Sequence, residues 1–306
     1  MHASWRVLLY AAAAALVGCG TQHPGATSGA AVSAPDSSAA RPALTQFATS
    51  ADGVHIAWRK FGQGEPVIVL VHGWAADATI WRAQLATLAA HYSVVTLDLA
   101  GQGASGANRQ SWSLPNFAQD VAAVVAGLPN ARIILVGQGM GGPVALEAAP
   151  LIGARVHGII GVETFRTIGQ PPPLPSQLEQ NLLPFRSDFA GALHRYVTAT
   201  LFNRQADPAV VRTVVELMAQ TAPERAIAAL AELNRLDYAS ILPAVKTPIV
   251  VIDSDLGGAV DEARLHRVIP QLRVITLGGD DSFPMLDDSQ RFNSALLLAI
   301  DSLAAH

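Results

Sequence analysis

The sequence has little that would support a disulfide framework or a nucleic-acid-binding surface. It contains one cysteine, Cys19, so no disulfide can form within the chain. Charged residues make up 14% of the chain and the formal net charge is −4, which leaves no basic surface of the kind that nucleic acid requires. Aromatic residues account for only 6%, whereas hydrophobic residues reach 50%. This composition predicts a globular chain with an apolar leader.

No apolar run near the start of the chain is long enough to cross a bilayer, which takes about 20 residues. Residues 1–18 instead have the features of a secretory signal, with a charge at Arg6 and an alanine-rich apolar run at Val7–Val17. Leu16-Val17-Gly18-Cys19 resembles a bacterial lipobox, whose cysteine is acylated and becomes the new N-terminus. The alternative is an ordinary signal peptide with a chance cysteine.

A lipid on Cys19 would place the protein in the bacterial cell envelope. Gly20 follows the cysteine, and the resemblance to sorted lipoproteins implies the outer membrane, facing the periplasm. The rest of residues 19–44 is Gly, Ala, Ser, Thr and Pro with almost no large apolar side chain. Such a segment cannot bury enough surface to offset its ordering entropy, so we expect a flexible tether that carries a folded domain at residues 45–306.

Short apolar strands alternate with helical patterns through residues 45–306. The predicted strands cover residues 46–50, 54–61, 66–71, 93–97, 132–136, 156–162, 248–252 and 272–277. The predicted helices cover residues 78–91, 114–128, 140–152, 261–268 and 288–303. Continuous apolar runs are typical of strands buried on both faces, so the alternation predicts a doubly wound, mostly parallel α/β sheet. Residues 164–244 interrupt it and have only helical patterns, among them 212–219 and 225–236.

Three motifs at the ends of predicted strands resemble those of the α/β-hydrolase family. His72-Gly73-Trp74 stands where the family has its H-G-x loop, and residues 98–105 match its D-x-x-G-x-G-x-S loop. Residues 137–141, Gly-Gln-Gly-Met-Gly, stand where the family has the nucleophile elbow G-x-S-x-G, a tight turn from a strand into a helix. The resemblance covers residues 45–306 and implies an α/β-hydrolase fold, with residues 164–244 as a lid over the pocket.

The positions that carry catalysis in this family are not matched. Gly139 occupies the position of the nucleophile and has no side chain, and Ser282 occupies that of the general base. No histidine lies between His266 and His306, so a small shift of register does not recover a base. These departures predict a degenerate catalytic triad.

Two carboxylates are candidates for the acid position, and two backbone amides are together candidates for the oxyanion hole. Asp255 matches one spacing that occurs in the family, and Glu163 at the end of the sixth strand is the second candidate. The alternative is that both are loop or helix-capping carboxylates. The resemblance also implies that the N–H groups of Trp74 and Met140 point to one site, where they would stabilise charge on a carbonyl oxygen.

Loss of the nucleophile or the base costs about 10⁶-fold in turnover. The sequence therefore predicts a pseudo-hydrolase that binds a small apolar ligand or a partner. The alternative is an active, esterase-like serine hydrolase that uses other residues; the side chains to locate for it are His72, Ser105 and Ser282. Neither a cofactor nor a metal is predicted, since the aspartates after the last two strands match no known calcium-binding loop. Five aromatic residues either line an apolar pocket or pack in the core: Trp74, Trp81, Phe165, Phe185 and Phe189.

Overall fold

A computed structural model describes residues 43–254, 256, 258–278 and 282–304. The strands of this part are β1 (Gln46–Thr49), β2 (His55–Phe61), β3 (Val67–Val71), β4 (Ser93–Leu97), β5 (Ile133–Gln138), β6 (Val156–Val162), β7 (Ile249–Asp253) and β8 (Arg273–Thr276). They form one sheet in the order β1-β2-β4-β3-β5-β6-β7-β8. The β1–β2 and β2–β4 pairs are antiparallel and the others are parallel, which confirms the predicted mostly parallel sheet.

Helices lie between most of the parallel strands. They are α1 (Leu85–Ala89), α2 (Leu114–Ala126), α3 (Gly141–Ile152), α4 (Pro175–Ser187), α5 (Phe189–Tyr196), α6 (Pro208–Met218), α7 (Pro223–Asn234), α8 (Tyr238–Ile241), α9 (Glu262–Val268), α10 (Pro284–Asp287) and α11 (Ser289–Ala304). No helix in the described ranges is both long enough and apolar enough to cross a membrane. The predicted leader, the tether up to residue 42, Cys19 and Asp255 all lie outside the described residues.

The prediction of a single helix at residues 78–91 is wrong. The chain forms a 3₁₀ turn at Ala78–Trp81 and then the short helix α1. Between them the buried Gln84 side chain donates to the Met285 carbonyl and to the Asn293 side chain, each at 3.0 Å. These partners are about two hundred residues away in sequence, so no local pattern could reveal the interruption.

The central strands align the motifs along one edge of the sheet. All residues of β3, β4 and β5 are buried. The register places Val71 beside Leu97 on one side and beside Gly137 on the other. The loops that follow these three strands therefore start next to one another at the carboxyl edge, which is where open α/β sheets bind ligands.

Helices α4 to α8 lie within residues 164–244, between β6 and β7, and we call this segment the helical insertion. The predicted helices at 212–219 and 225–236 correspond to α6 and α7. The insertion contacts the loop after β3, because the Trp74 indole N–H donates to the Ala226 carbonyl at 2.7 Å. It therefore packs on the carboxyl edge of the sheet.

Candidate active site

The turn between β5 and α3 has the geometry of a nucleophile elbow. Gly139 lies at its tip with a φ of +51°, a left-handed conformation that glycine adopts freely and other residues do not. Its N–H donates to the Val162 carbonyl at 2.9 Å, and its own carbonyl accepts from the Gly142 N–H at 3.1 Å. The strand, the tight turn and the helix are all present, as the sequence predicts.

The neighbouring glycines allow the helix to approach the sheet closely. A Cβ on Gly137 would collide with the Gly141 backbone, and one on Gly142 would collide with the Thr164 side chain. At Gly139 the situation is the opposite, since no described atom lies within 4 Å of the place where a Cβ would stand. The elbow therefore keeps room for a nucleophilic side chain that the sequence does not supply.

Ser282 lies next to this turn and contacts it through the Ser282 backbone carbonyl. The Ser282 carbonyl accepts from the Gln138 side-chain amide at 3.2 Å, and the Ser282 N–H donates to the Leu201 carbonyl at 2.9 Å. Gln138 is buried, and its Oε1 lies against the Cα of Gly73 in the loop after β3. Gln138 thus connects the elbow to the loop that contains Ser282. The sequence marks Gln138 as a departure from the family motif but gives no sign of this contact.

His72 is placed as a structural residue. It is fully buried, and its Nε2 accepts from the Leu99 N–H at 2.9 Å. The proton must then be on Nδ1, which donates to the Gly73 carbonyl at 2.9 Å. Burial lowers the pKa of His72, so the ring stays neutral with both nitrogens occupied. It has no free lone pair with which to accept a proton from a nucleophile.

Ser105 is equally engaged in local structure. Its hydroxyl donates to the Asp98 carbonyl at 2.5 Å and accepts from the Ala57 N–H at 2.8 Å. In the described part of the chain, the side chains of His72, Ser105 and Ser282 form no serine–histidine pair. The three residues proposed for an alternative hydrolase therefore do not assemble a catalytic site.

Glu163 lies directly after β6 and faces the end of β7. Its carboxylate is 3% exposed and accepts from the Ser254 N–H. Burial, and next the proximity of Asp253, raise the pKa of Glu163 well above its ordinary value. A carboxyl that is buried and already accepts from the Ser254 N–H is poorly suited to orienting a histidine. Whether Glu163 or Asp255 holds the acid position stays open, because Asp255 lies outside the described residues.

The oxyanion role of Trp74 and Met140 stays a prediction. Both residues are buried. Trp74 follows Gly73 in the loop after β3, and Met140 lies at the start of α3, so the two flank the Gly73–Gln138 contact. Among the described residues no hydrogen-bond acceptor is found for either backbone N–H.

Aromatic side chains fill the space between this region and the helical insertion. The Trp74 ring meets Phe185 and Tyr196 edge to face, at centroid distances of 5.6 and 5.7 Å. Phe185 also contacts Phe189 at 6.3 Å. Trp81 and Phe165 are fully buried elsewhere in the core. The five aromatic residues of the sequence prediction therefore pack against other side chains.

A small cavity lies beside this cluster, between the loop after β4 and α7. Its walls include Trp74, Gln102, Trp112 and Arg225, and its volume is about 10 Å³. That is room for about one water molecule and no more. Across the described residues, no group of three or more histidine, cysteine, aspartate or glutamate side chains is placed to hold a metal ion.

The sheet order, the elbow and the H-G loop define an α/β protein of the hydrolase type. A family model described as "Alpha/beta hydrolase family" matches residues 68–295, and the chain belongs to that family.

Known proteins with similar sequence or structure include esterases and a peroxidase. A pimeloyl-[acyl-carrier protein] methyl ester esterase from Xanthomonas oryzae pv. oryzae is 25% identical over 242 residues, covering 76% of this chain and 93% of that protein. A thermophilic esterase from Thermogutta terrifontis superposes with a TM-score of 0.74 at 23% identity, over 85% of this chain and 99% of the other. A bromoperoxidase from Bacillus anthracis superposes with a TM-score of 0.72 at 19% identity, over 84% of this chain and 100% of the other. The two structural likenesses show the fold alone.

Proposed function

We propose that this protein is a pseudo-hydrolase, an α/β-hydrolase-fold protein that binds without catalysing hydrolysis. The observation that carries the proposal is the elbow, which has the left-handed turn and the open space of a nucleophile position but ends in Gly139. The position of the base is held by Ser282, which meets the elbow through its carbonyl. Without a nucleophile and a base, an oxyanion hole alone retains about 10³–10⁴ over the uncatalysed rate.

The proposed ligand is small and apolar, because the space between the sheet edge and the helical insertion is lined with Trp74, Phe185 and Tyr196. These rings occupy the space, so a ligand enters only if the insertion moves away as a lid. Binding of a protein partner requires no such movement. Leu174 and Leu183, at the start of and within α4, are more than half exposed and offer apolar surface for it.

We expect purified residues 45–306 to hydrolyse activated esters no faster than a catalyst-free control. The expectation follows from Gly139 and from the two occupied nitrogens of His72. Ester cleavage is followed by absorbance, and a fluorophosphonate probe tests for a reactive serine. An esterase of the same family with an intact triad serves as the positive control. Burst kinetics, or a covalent label on any serine, would contradict the proposal and favour an active esterase.

We also propose that the protein is anchored by a lipid on Cys19, at the outer membrane. Several acyl chains, at about 0.8 kcal/mol per buried CH₂, hold a protein on a membrane permanently. Cys19→Ser removes the acylation site, so we expect the variant in the soluble periplasmic fraction and the parent in the membrane fraction. Immunoblots of fractionated cells measure the distribution. Retention of Cys19→Ser in the membrane would show that the anchor lies elsewhere.

A further inference from the structure

Two carboxyl groups and one guanidinium meet where β6, β7 and the helical insertion join. Arg166 donates to the Asp253 Oδ1 from Nε at 3.1 Å and from Nη2 at 2.8 Å. It also donates to the carbonyls of Ser254 and Gly258, at 2.5 and 2.9 Å. The same Nη2 lies 3.8 Å from the Glu163 Oε2. Both carboxylates are buried, so the cluster contains two acids and one cation away from bulk water.

The hydrogen bonds of this cluster leave one oxygen without a donor. Asp253 Oδ2 is buried, and none of the described residues donates a hydrogen bond to it. The Glu163 carboxyl lies beside Asp253, because it accepts from the N–H of the next residue, Ser254, and shares the Arg166 Nη2 with Asp253. A buried acceptor without a donor is costly, whereas a proton on Glu163 would supply the donor.

We propose that Glu163 and Asp253 share one proton, and that this proton holds the start of the helical insertion against the end of β7. The Glu163 O–H then donates to Asp253 Oδ2, while Asp253 Oδ1 remains bound to Arg166. Loss of the proton to solvent leaves two carboxylates beside one guanidinium, and neither can donate to the other. The junction is therefore a proton-dependent latch.

The backbone at this junction requires such a restraint. Glu163 and Phe165 have φ angles of +49° and +70°, which side-chain-bearing residues adopt only when their surroundings hold them there. A latch that weakens would allow the first residues of the insertion to relax. Because the insertion covers the elbow, the proton would control access to the proposed ligand site. The latch itself does not depend on the proposed function.

The other charged and titratable groups around the junction do not replace the shared proton. From α9, Arg264 donates to the carbonyls of Arg166 and Ile168 and pairs with Asp261 at 3.3 Å. From α8, Tyr238 packs edge to face on Phe165 at 6.0 Å, and burial raises its pKa, so it stays neutral. In the described part, the cation that reaches both carboxyls is Arg166.

The pH dependence has a definite sign. The pKa of Glu163 is raised in the folded protein above the ordinary value of 4.5, so above that pH the folded chain keeps a proton that the unfolded chain has lost. The contribution to stability is complete below that pH and is lost as the pH rises through the folded pKa. Between the ordinary pKa of Glu163 and its pKa in the folded protein, the unfolding constant rises about tenfold per pH unit.

Glu163→Gln tests the latch, because a neutral amide can donate to Asp253 and still accept from the Ser254 N–H. Urea denaturation of the mature protein is measured from pH 4.5 upward for the parent and the variant. We expect the parent to lose stability relative to Glu163→Gln by up to tenfold in unfolding constant per pH unit. Glu179→Gln, an exposed position of α4, is the matched control and should follow the parent.

Two further readouts separate the latch from a merely structural role. Hydrogen exchange of residues 163–170, corrected for the intrinsic rate, should lose protection with rising pH in the parent and not in Glu163→Gln. The Glu163 carboxyl carbon, observed by NMR in the parent, should titrate above the ordinary range. Equal pH dependence in the parent and Glu163→Gln, or an ordinary titration of Glu163, would overturn the proposal. The NMR titration decides even if the variant does not fold.

Discussion

Trp74→Ala is expected to lower the free energy of unfolding by about 3–5 kcal/mol, the cost of removing a large buried aromatic side chain. Trp74 is 7% exposed and packs on Phe185 and Tyr196. Its N–H is the donor to the Ala226 carbonyl of the helical insertion. The substitution thus removes packing and a hydrogen bond at the contact between the insertion and the sheet edge. Chemical denaturation measures the loss.

Trp74→Phe is the matched control. It keeps an apolar ring and removes the hydrogen bond to the Ala226 carbonyl, whose net contribution is about 0.5–1.5 kcal/mol. We expect its stability to lie between those of the parent and Trp74→Ala. A Trp74→Ala variant as stable as the parent would show that the aromatic rings do not hold the insertion, and that the space is free for a ligand.

Gly139→Ser is expected to lower the free energy of unfolding by about 1–3 kcal/mol, the cost of a side-chain-bearing residue in a left-handed conformation. The cost comes from the φ of +51° and not from crowding, because the described residues leave the space around the new Cβ empty. The new hydroxyl has no base, since Ser282 stands in the position of the histidine. The variant should therefore remain inactive towards activated esters, which denaturation and an absorbance assay can show together.

Gly127→Ala provides the comparison for Gly139→Ser. Gly127 ends α2 with a φ of −78°, and an added Cβ there would make an ordinary contact of 3.5 Å. We expect little change in stability. If Gly139→Ser were as stable as Gly127→Ala, the turn would tolerate side chains and would no longer be an elbow in a functional sense. Ester turnover by Gly139→Ser would reveal a base that the described residues do not include.

The proposed function separates the family fold from the family chemistry. The elbow glycines serve packing, because Gly137 and Gly142 let α3 approach β5 and Thr164 closely. Nothing in that packing requires a nucleophile at the tip of the turn. A fold can therefore be retained while its site changes, and function has to be argued from the site.

Local patterns in the sequence are enough to predict the sheet and the elbow. Strands such as Ser93–Leu97 and Val156–Val162 have the bounds that their apolar runs predict, because burial on both faces leaves a continuous local pattern. The glycines of residues 137–142 likewise predict a tight turn from local properties of the backbone. The absence of a nucleophile at Gly139 can be read directly from the sequence.

The contacts of the remaining side chains emerge only when the chain is folded. The neutral state of His72 follows from its burial, which lowers the pKa of the ring, and the contact of Gln138 with Ser282 joins residues 144 positions apart. The same holds for Glu163 and Asp253, which lie at the ends of β6 and β7, two strands separated in sequence by the whole helical insertion. Hydrogen bonds and pKa shifts arise between groups that folding brings together, and no sequence pattern records which distant groups will meet.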